Sequence, residues 1–89
     1  MVNLTQPNNV QAAVLYTLIQ KGKVSIEDFP HLSGFRTRVS EINLQHEISM
    51  QSFNKKGKNQ FGRIITYVEH HIDPTEVEKA IQVYKTINK

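Results

Sequence analysis

Apolar residues recur at three- and four-residue spacing in the first part of the chain, and this pattern predicts an amphipathic helix. Thr5 is the expected N-cap, Pro7 fits the first turn, and Gly22 is the expected C-terminal stop. The apolar stripe consists of Val10, Val14, Leu15, Leu18 and Ile19. Residues 23–24 follow as a short extended step.

A second, short helical turn is predicted at residues 25–28, where Ser25 and Asp28 resemble a capping box. Pro30 cannot continue a helical hydrogen-bond ladder, so this turn must be brief. Ile26, Phe29 and Leu32 could still face the core.

A third helix is predicted at residues 34–44, after a tight turn at Ser33 and Gly34. Its core positions are Phe35, Val39 and Ile42, and its remaining surface is almost entirely polar. That polar surface holds Arg36, Thr37, Arg38, Ser40, Glu41 and Asn43. Leu44 would fall on the outer face, so we expect the helix to end near Asn43.

Two β-prone runs, residues 48–53 and 63–68, predict a hairpin. Turn-forming residues and lysines fill the stretch between them, which predicts a basic wing at residues 54–63 with Lys55, Lys56 and Lys58 around Gly57 at its tip. Both alternating sets of the second strand, Ile64/Thr66/Val68 and Ile65/Tyr67, are apolar enough to face inward, and the pattern does not choose between them.

The chain finishes with a predicted helix over residues 73–89, which Asp73 and Pro74 would begin. Its apolar side consists of Val77, Ala80, Tyr84 and Ile87. Two alternatives remain open: this side packs on its own domain, or it joins two copies in a two-fold dimer.

Length and composition limit the class of protein. The 89 residues make a single domain, with 5–72 as the core unit and 73–89 as the added helix. The sequence contains no cysteine, no histidine pair at zinc-site spacing and no catalytic constellation, so we expect no enzyme activity, no metal and no cofactor. No signal-peptide pattern or apolar run of membrane-spanning length occurs, which favours a cytoplasmic protein that does not bind membranes.

The net charge of +3 is concentrated in the middle of the chain. Residues 33–63 contain six basic and two acidic side chains, whereas the segments on either side sum to zero and to −1. Such an asymmetry is typical of a protein that binds a polyanion, although a solvated basic loop would give the same charge pattern.

The predicted elements follow in the order helix, short helix, turn, helix, hairpin and helix. This is the order of a winged helix-turn-helix in the α+β class, with three helices, a two-stranded wing and an additional C-terminal helix. We therefore expect double-stranded DNA as the partner, with the third helix in the major groove and the wing on the phosphate backbone. The expected DNA-binding residues are Arg36, Thr37, Arg38, Ser40, Asn43, Lys55, Lys56, Lys58, Asn59 and Arg63. The alternative is a winged-helix module that binds or inhibits a host protein, through exposed apolar residues such as Leu44 or Phe61.

The run Arg38-Val39-Ser40-Glu41-Ile42, followed by Ile48 and by a Lys/Gly-rich hairpin that ends in Ile65-Thr66-Tyr67-Val68, resembles the small winged helix-turn-helix proteins of bacteriophages and prophages. The resemblance covers roughly residues 9 to 68. It implies DNA binding in replication, excision or transcription control, in a bacterial cytoplasm and near the nucleoid.

Overall fold

A computed structural model of the chain describes residues 3–30, 32–58 and 61–88. Three α-helices and three strands form its main elements, with a single 3₁₀ turn after β1 and another before α3. In chain order they are α1 (Val10–Lys21), β1 (Lys23–Ser25), the 3₁₀ turn Ile26–Asp28, α2 (Phe35–Gln45), β2 (Met50–Lys58), β3 (Ile64–Ile72), the 3₁₀ turn Pro74–Glu76, and α3 (Val77–Ile87).

Helix α1 begins later than its apolar pattern predicts. Asn9, not Thr5, is the N-cap, because the Asn9 side-chain oxygen accepts the Ala12 N–H at 2.8 Å. At the other end Gly22 adopts φ 77°, the left-handed conformation that glycine tolerates, so the predicted stop is confirmed.

The three strands form one antiparallel sheet in the order β1-β3-β2. The predicted sheet of two strands is therefore corrected to three, because Lys23–Ser25 pairs with residues 69–71 of β3. The hairpin strands are also longer than predicted, and Met50 pairs with Ile72 while Lys58 pairs with Ile64. As a result, the sheet has three strands at the base of the hairpin and two towards its tip.

The core lies between the helices and the base of the sheet. All three predicted core positions of α2 (Phe35, Val39 and Ile42) are buried, as are four of the five stripe residues of α1. The fifth, Val10, is 44% exposed. Ile26, Phe29 and Leu32 are partly buried against this core, as predicted, although the segment that contains Ile26 is one 3₁₀ turn rather than a helix.

Helix α3 packs on its own domain through α1. Ala80 and Tyr84 are buried, the Tyr84 ring lies 5.8 Å from the Tyr16 ring, and Val77 and Ile87 are partly buried against the same core. A dimer formed through these four side chains would have to displace this packing.

Hydrogen bonds join the residues before α1 to the end of α3. The Tyr84 hydroxyl donates to the Thr5 carbonyl at 2.5 Å, and the Asn88 side-chain amide donates to the Gln6 carbonyl at 2.9 Å. With α-helices and one antiparallel sheet among the described residues, the fold is a small α+β domain. Over the residues that the structure describes, no helix is long and apolar enough to cross a bilayer.

Candidate nucleic-acid interface

The orientation of α2 is determined by its buried side. Gly34 is the N-cap residue with φ 79°, and no side chain caps the helix, so the backbone conformation of the predicted turn begins α2. The helix continues to Gln45, beyond the predicted end near Asn43, and Leu44 is 74% exposed. With Phe35, Val39 and Ile42 buried, a rotation of 100° per residue places Arg36 and Ser40 on one flank of the helix.

Arg38 lies on the other flank and is paired with an acid. Its Nε atom lies 2.9 Å from Glu41 Oε1, in an ion pair one helical turn apart. Arg36 is exposed and forms no ion pair with any carboxylate in the described ranges. The two arginines, equivalent in the sequence, therefore differ in the charge that they offer to a partner.

Asn43 has a structural role in the turn after α2. Its side-chain amide donates to the Ile48 carbonyl at 2.9 Å, and Ile48 itself is fully buried. In the same turn Glu47 has φ 55°, a left-handed conformation, and its carbonyl accepts a hydrogen bond from Lys79 Nζ at 2.7 Å. The Asn43 amide is thus already engaged, whereas Thr37 and Ser40 are exposed and form no hydrogen bond through their hydroxyls within the described part of the chain.

The three hairpin lysines lie in strand β2 and not at a loop tip, which corrects the predicted arrangement. Register alternation places Lys56 opposite Thr66 and Lys58 opposite Ile64 on one face, and Lys55 opposite Tyr67 on the other. Of the other predicted contacts on the hairpin, Arg63 is exposed just before β3, and Asn59 lies outside the described residues.

A groove of about 760 Å³ separates the N-terminal half of α2 from the hairpin. Apolar side chains, including Leu32, Phe35 and Val68, form part of its wall. The residues with polar side chains that line it are Arg36, Ser40, Ser52, Thr66, Tyr67 and His70. Among the residues that the structure describes, no carboxylate lines this groove. Two of its lining residues, Thr66 and His70, share their sheet face with Lys56 and Lys58.

His70 is held inside the groove by neighbours from two elements. Its Nδ1 atom lies 3.1 Å from Ser52 Oγ, and its ring is 6.3 Å from the Phe35 ring. Burial, with the nearby Arg36 charge as a second cause, lowers the pKa of His70 below its ordinary value of 6.5. This side chain is therefore neutral at pH 7 in the unliganded domain.

The opposite face of the hairpin has different chemistry. Gly57 pairs with Ile65 within the strands, and a Cβ atom at Gly57 would lie 2.9 Å from Glu27 Oε1 and 3.2 Å from Tyr67 Cε1. A side chain at position 57 would require Glu27 or Tyr67 to shift. The sequence had predicted a turn at Gly57, and the structure places it within a strand instead. Burial, and secondly the Glu27 carboxylate, raise the pKa of Tyr67.

The same face contains both the acid and the second histidine of β3. His71 Nε2 lies 2.7 Å from Glu69 Oε1, and this hydrogen bond lowers the pKa of Glu69. The His71 ring also meets the Phe53 ring edge-on at 4.9 Å. The adjacent histidines therefore point to opposite sides of the strand, and of the two only His70 lines the groove.

The open question about β3 is resolved differently along its length. Near the tip Ile65 and Tyr67 are half-buried and Ile64 is 71% exposed, whereas at the base Val68 and His70 face the groove and Ile72 enters the core. Sequence reasoning missed Ser52, Thr66 and His70 as groove residues, because their proximity to α2 depends on long-range pairing that no local pattern encodes.

No group of three or more potential metal ligands occurs within residues 3–30, 32–58 and 61–88. The polar side chains that line the groove belong to helix α2 and to the hairpin. Comparison with protein-family models, with curated proteins and with solved structures found no match to this chain.

Proposed function

We propose that this domain binds double-stranded DNA without catalysis, as a winged helix-turn-helix protein, with α2 in the major groove and the hairpin on the phosphate backbone. One observation carries the proposal: Arg36 on α2 lines the groove, and Lys56 and Lys58 on β2 lie on the sheet face whose residues Thr66 and His70 line the same groove. None of the three forms an ion pair with a carboxylate in the described part of the chain. Unneutralised cations on one side of a domain favour a polyanionic partner.

The outer face of α2 has side chains suited to base edges. Thr37 and Ser40 offer hydroxyl groups, which can donate or accept, and the exposed Leu44 can contact a thymine methyl group. The major groove, about 12 Å wide, admits an α-helix. Arg36 at the beginning of the helix can reach a phosphate or a guanine edge.

The hairpin is suited to the backbone. Its two-stranded part projects beyond the three-stranded base, so Lys56 and Lys58 stand away from the core on the same side as the groove. Each phosphate neutralised in this way releases counterions, and the affinity should fall steeply with salt.

The two arginines of α2 give a matched test. Fluorescence anisotropy of a labelled mixed-sequence duplex, titrated at low and near-physiological salt, should show binding that weakens with salt. Arg36→Ala should weaken binding and lower the salt slope by about 0.9, the value for one phosphate contact. Arg38→Ala, which removes a charge already paired with Glu41, should change binding much less.

Absence of duplex binding by the wild-type protein at low salt would refute the proposal. Equal losses for the two arginine variants would refute the assignment of Arg36 and not DNA binding itself.

A second candidate function is a protein-interaction module that binds a host protein, and the exposed apolar side chains favour it. Leu44, Phe61 and Ile64 are 74%, 77% and 71% exposed. Exposed apolar residues are common singly, but those on an outer helix face and near a hairpin tip can bind a partner. If the duplex does not bind, a Leu44→Ser variant that loses a co-purified partner would support this function.

In the DNA-binding case we propose a phage or prophage regulator, or an accessory factor in replication or recombination, that acts in a bacterial cytoplasm. A homodimer would require a near-palindromic target, since the symmetry of the operator mirrors that of the protein.

A further inference from the structure

The groove contains a polar cluster whose members approach from three directions. Arg36 projects from α2, Ser52 from β2 and His70 from β3, and all three line the same space. The only hydrogen bond within the cluster that the structure records joins Ser52 Oγ and His70 Nδ1, at 3.1 Å. The second nitrogen of the imidazole, Nε2, is therefore the one left for a ligand.

Among the described residues, the elements around His70 place no carboxylate in the groove. Helix α2 contributes the Arg36 cation and the hydroxyl of Ser40, β2 contributes Ser52, and β1 places the apolar Val24 beside it. His71, the neighbour along β3, adds a further repulsive charge from the opposite face when it is protonated.

The carboxylates closest along the chain lie elsewhere. Glu69 is paired with His71 on the other face of the sheet, and Glu27, which does not line the groove, lies beside Tyr67 and Gly57. Within the described residues, the groove therefore presents positive charge and hydroxyl groups with no anion of its own.

We propose that the Arg36–Ser52–His70 cluster binds one backbone phosphate of the duplex, and that His70 takes up a proton from solvent when this phosphate binds. The inference rests on the proposed DNA-binding function and adds its regulation: duplex affinity increases as the pH falls. In the bound state Nδ1–H donates to Ser52 Oγ, Nε2–H donates to a phosphate oxygen, and Arg36 supplies the second charge.

The physical reason is a change in the environment of the imidazole. Without DNA, burial and the Arg36 charge disfavour the imidazolium, so the pKa of His70 lies below its ordinary value of 6.5. A phosphate between the two groups reverses the sign of the local field and raises the pKa of His70 in the complex. By linkage, affinity increases as the pH falls through the bound-state pKa and levels off below the free-state pKa.

The experiment measures duplex affinity at constant ionic strength from about pH 5.5 to about pH 8.5, the range around the histidine pKa. Wild-type affinity should rise about threefold or more between about pH 8 and pH 6, with an upper limit of about tenfold per pH unit for one linked proton. His70→Gln, which keeps a polar side chain but cannot be protonated, should lose this increase. His71→Gln, the matched control on the opposite face, should retain it.

Far-UV circular dichroism and thermal unfolding check that the variant folds. Both should match the wild-type protein for His70→Gln at each pH of the series. NMR titration of the His70 ring should give a higher pKa in the complex than in the free protein.

The outcomes separate the two proposals. Duplex binding that is salt-dependent but has the same pH profile in wild-type and His70→Gln proteins would overturn the proton-linked phosphate site alone, as would an unchanged His70 pKa in the complex. Absence of duplex binding at every pH and salt concentration would overturn both.

Discussion

Side chains of strand β2 alternate between its two faces, and this alternation predicts which lysines would contact DNA. Lys56 and Lys58 share a sheet face with Thr66 in the groove, whereas Lys55, next to them in the chain, lies on the other face opposite Tyr67. The double variant Lys56→Ala/Lys58→Ala should therefore lose much of the affinity for duplex DNA. Lys55→Ala should lose little, although it removes the same type of charge from the same strand.

The size of the effect follows from counterion release. Each phosphate contact contributes about 0.9 to the salt slope of log K, so loss of two contacts lowers the slope by about 1.8. A fourfold increase in salt then reduces the difference in affinity between wild-type protein and the double variant by about 12-fold. A loss of affinity caused by local unfolding of the hairpin would not follow this dependence.

The assay is anisotropy of a labelled duplex at four or more salt concentrations, with far-UV circular dichroism and thermal unfolding as controls on the fold. A salt slope that is the same for the double variant and the wild type would refute the reasoning. So would a Lys55→Ala variant that loses as much slope as Lys56→Ala, because the two faces of the strand would then be equivalent.

Two further predictions concern stability. Tyr84→Phe removes the hydrogen bonds of the Tyr84 hydroxyl with the Thr5 carbonyl and the Asn88 amide, so the free energy of unfolding should fall by about 1–2 kcal/mol, with duplex affinity unchanged. The midpoint of thermal unfolding should fall by roughly 4–8 °C for each kcal/mol, and an unchanged midpoint would show that these bonds contribute nothing. Gly34→Ala places a Cβ in a left-handed conformation with no neighbouring atom within 4 Å, so denaturant unfolding should show a loss of about 1–2 kcal/mol that is conformational and not steric. Gly34→Asn should lose less, since asparagine tolerates this region, and equal losses for both variants would argue against that cause.

Helical periodicity identified the parts of the fold that depend on local sequence. The buried side chains of α1 and α2 were predicted because a period of 3.6 residues places them on one face. Helix ends were predicted less well, since Thr5 and Asn9 are both acceptable caps by residue type, and in the structure the Thr5 carbonyl is hydrogen-bonded to Tyr84 while Asn9 caps the helix.

The hairpin shows where local rules fail. Lysines and asparagines around Gly57 have low β-propensity and predict a loop, yet pairing with the apolar strand β3 extends β2 as far as Lys58. The glycine there is explained by the approach of Glu27 and Tyr67 from distant parts of the chain. Nothing within a window of local sequence indicates that contact.

Only part of the candidate site was predicted, because its geometry also depends on contacts between distant parts of the chain. Arg36, Ser40, Lys56 and Lys58 could be chosen by residue type and by their place in the element order. Local sequence does not show that Arg38 lies on the other flank of α2 and Lys55 on the other face of the hairpin, because these positions depend on the rotation of the helix and the register of the strands. His70 appeared in the sequence only as one of two adjacent histidines, and its place beside Ser52 follows from strand pairing.

The short strand β1 explains why helix and hairpin can act as one surface. An isolated two-stranded hairpin is only marginally stable, but β1 pairs with residues 69–71 of β3 and leads directly from α1. The base of the hairpin is thereby attached to the core against which α2 also packs, so the distance across the groove is set by buried contacts of Val24, Phe35 and Ile72. Lysines on a flexible loop would neutralise phosphates without a defined position relative to α2. In the proposed complex, lysines on this anchored strand would hold the DNA backbone at one distance from the helix that would read the bases.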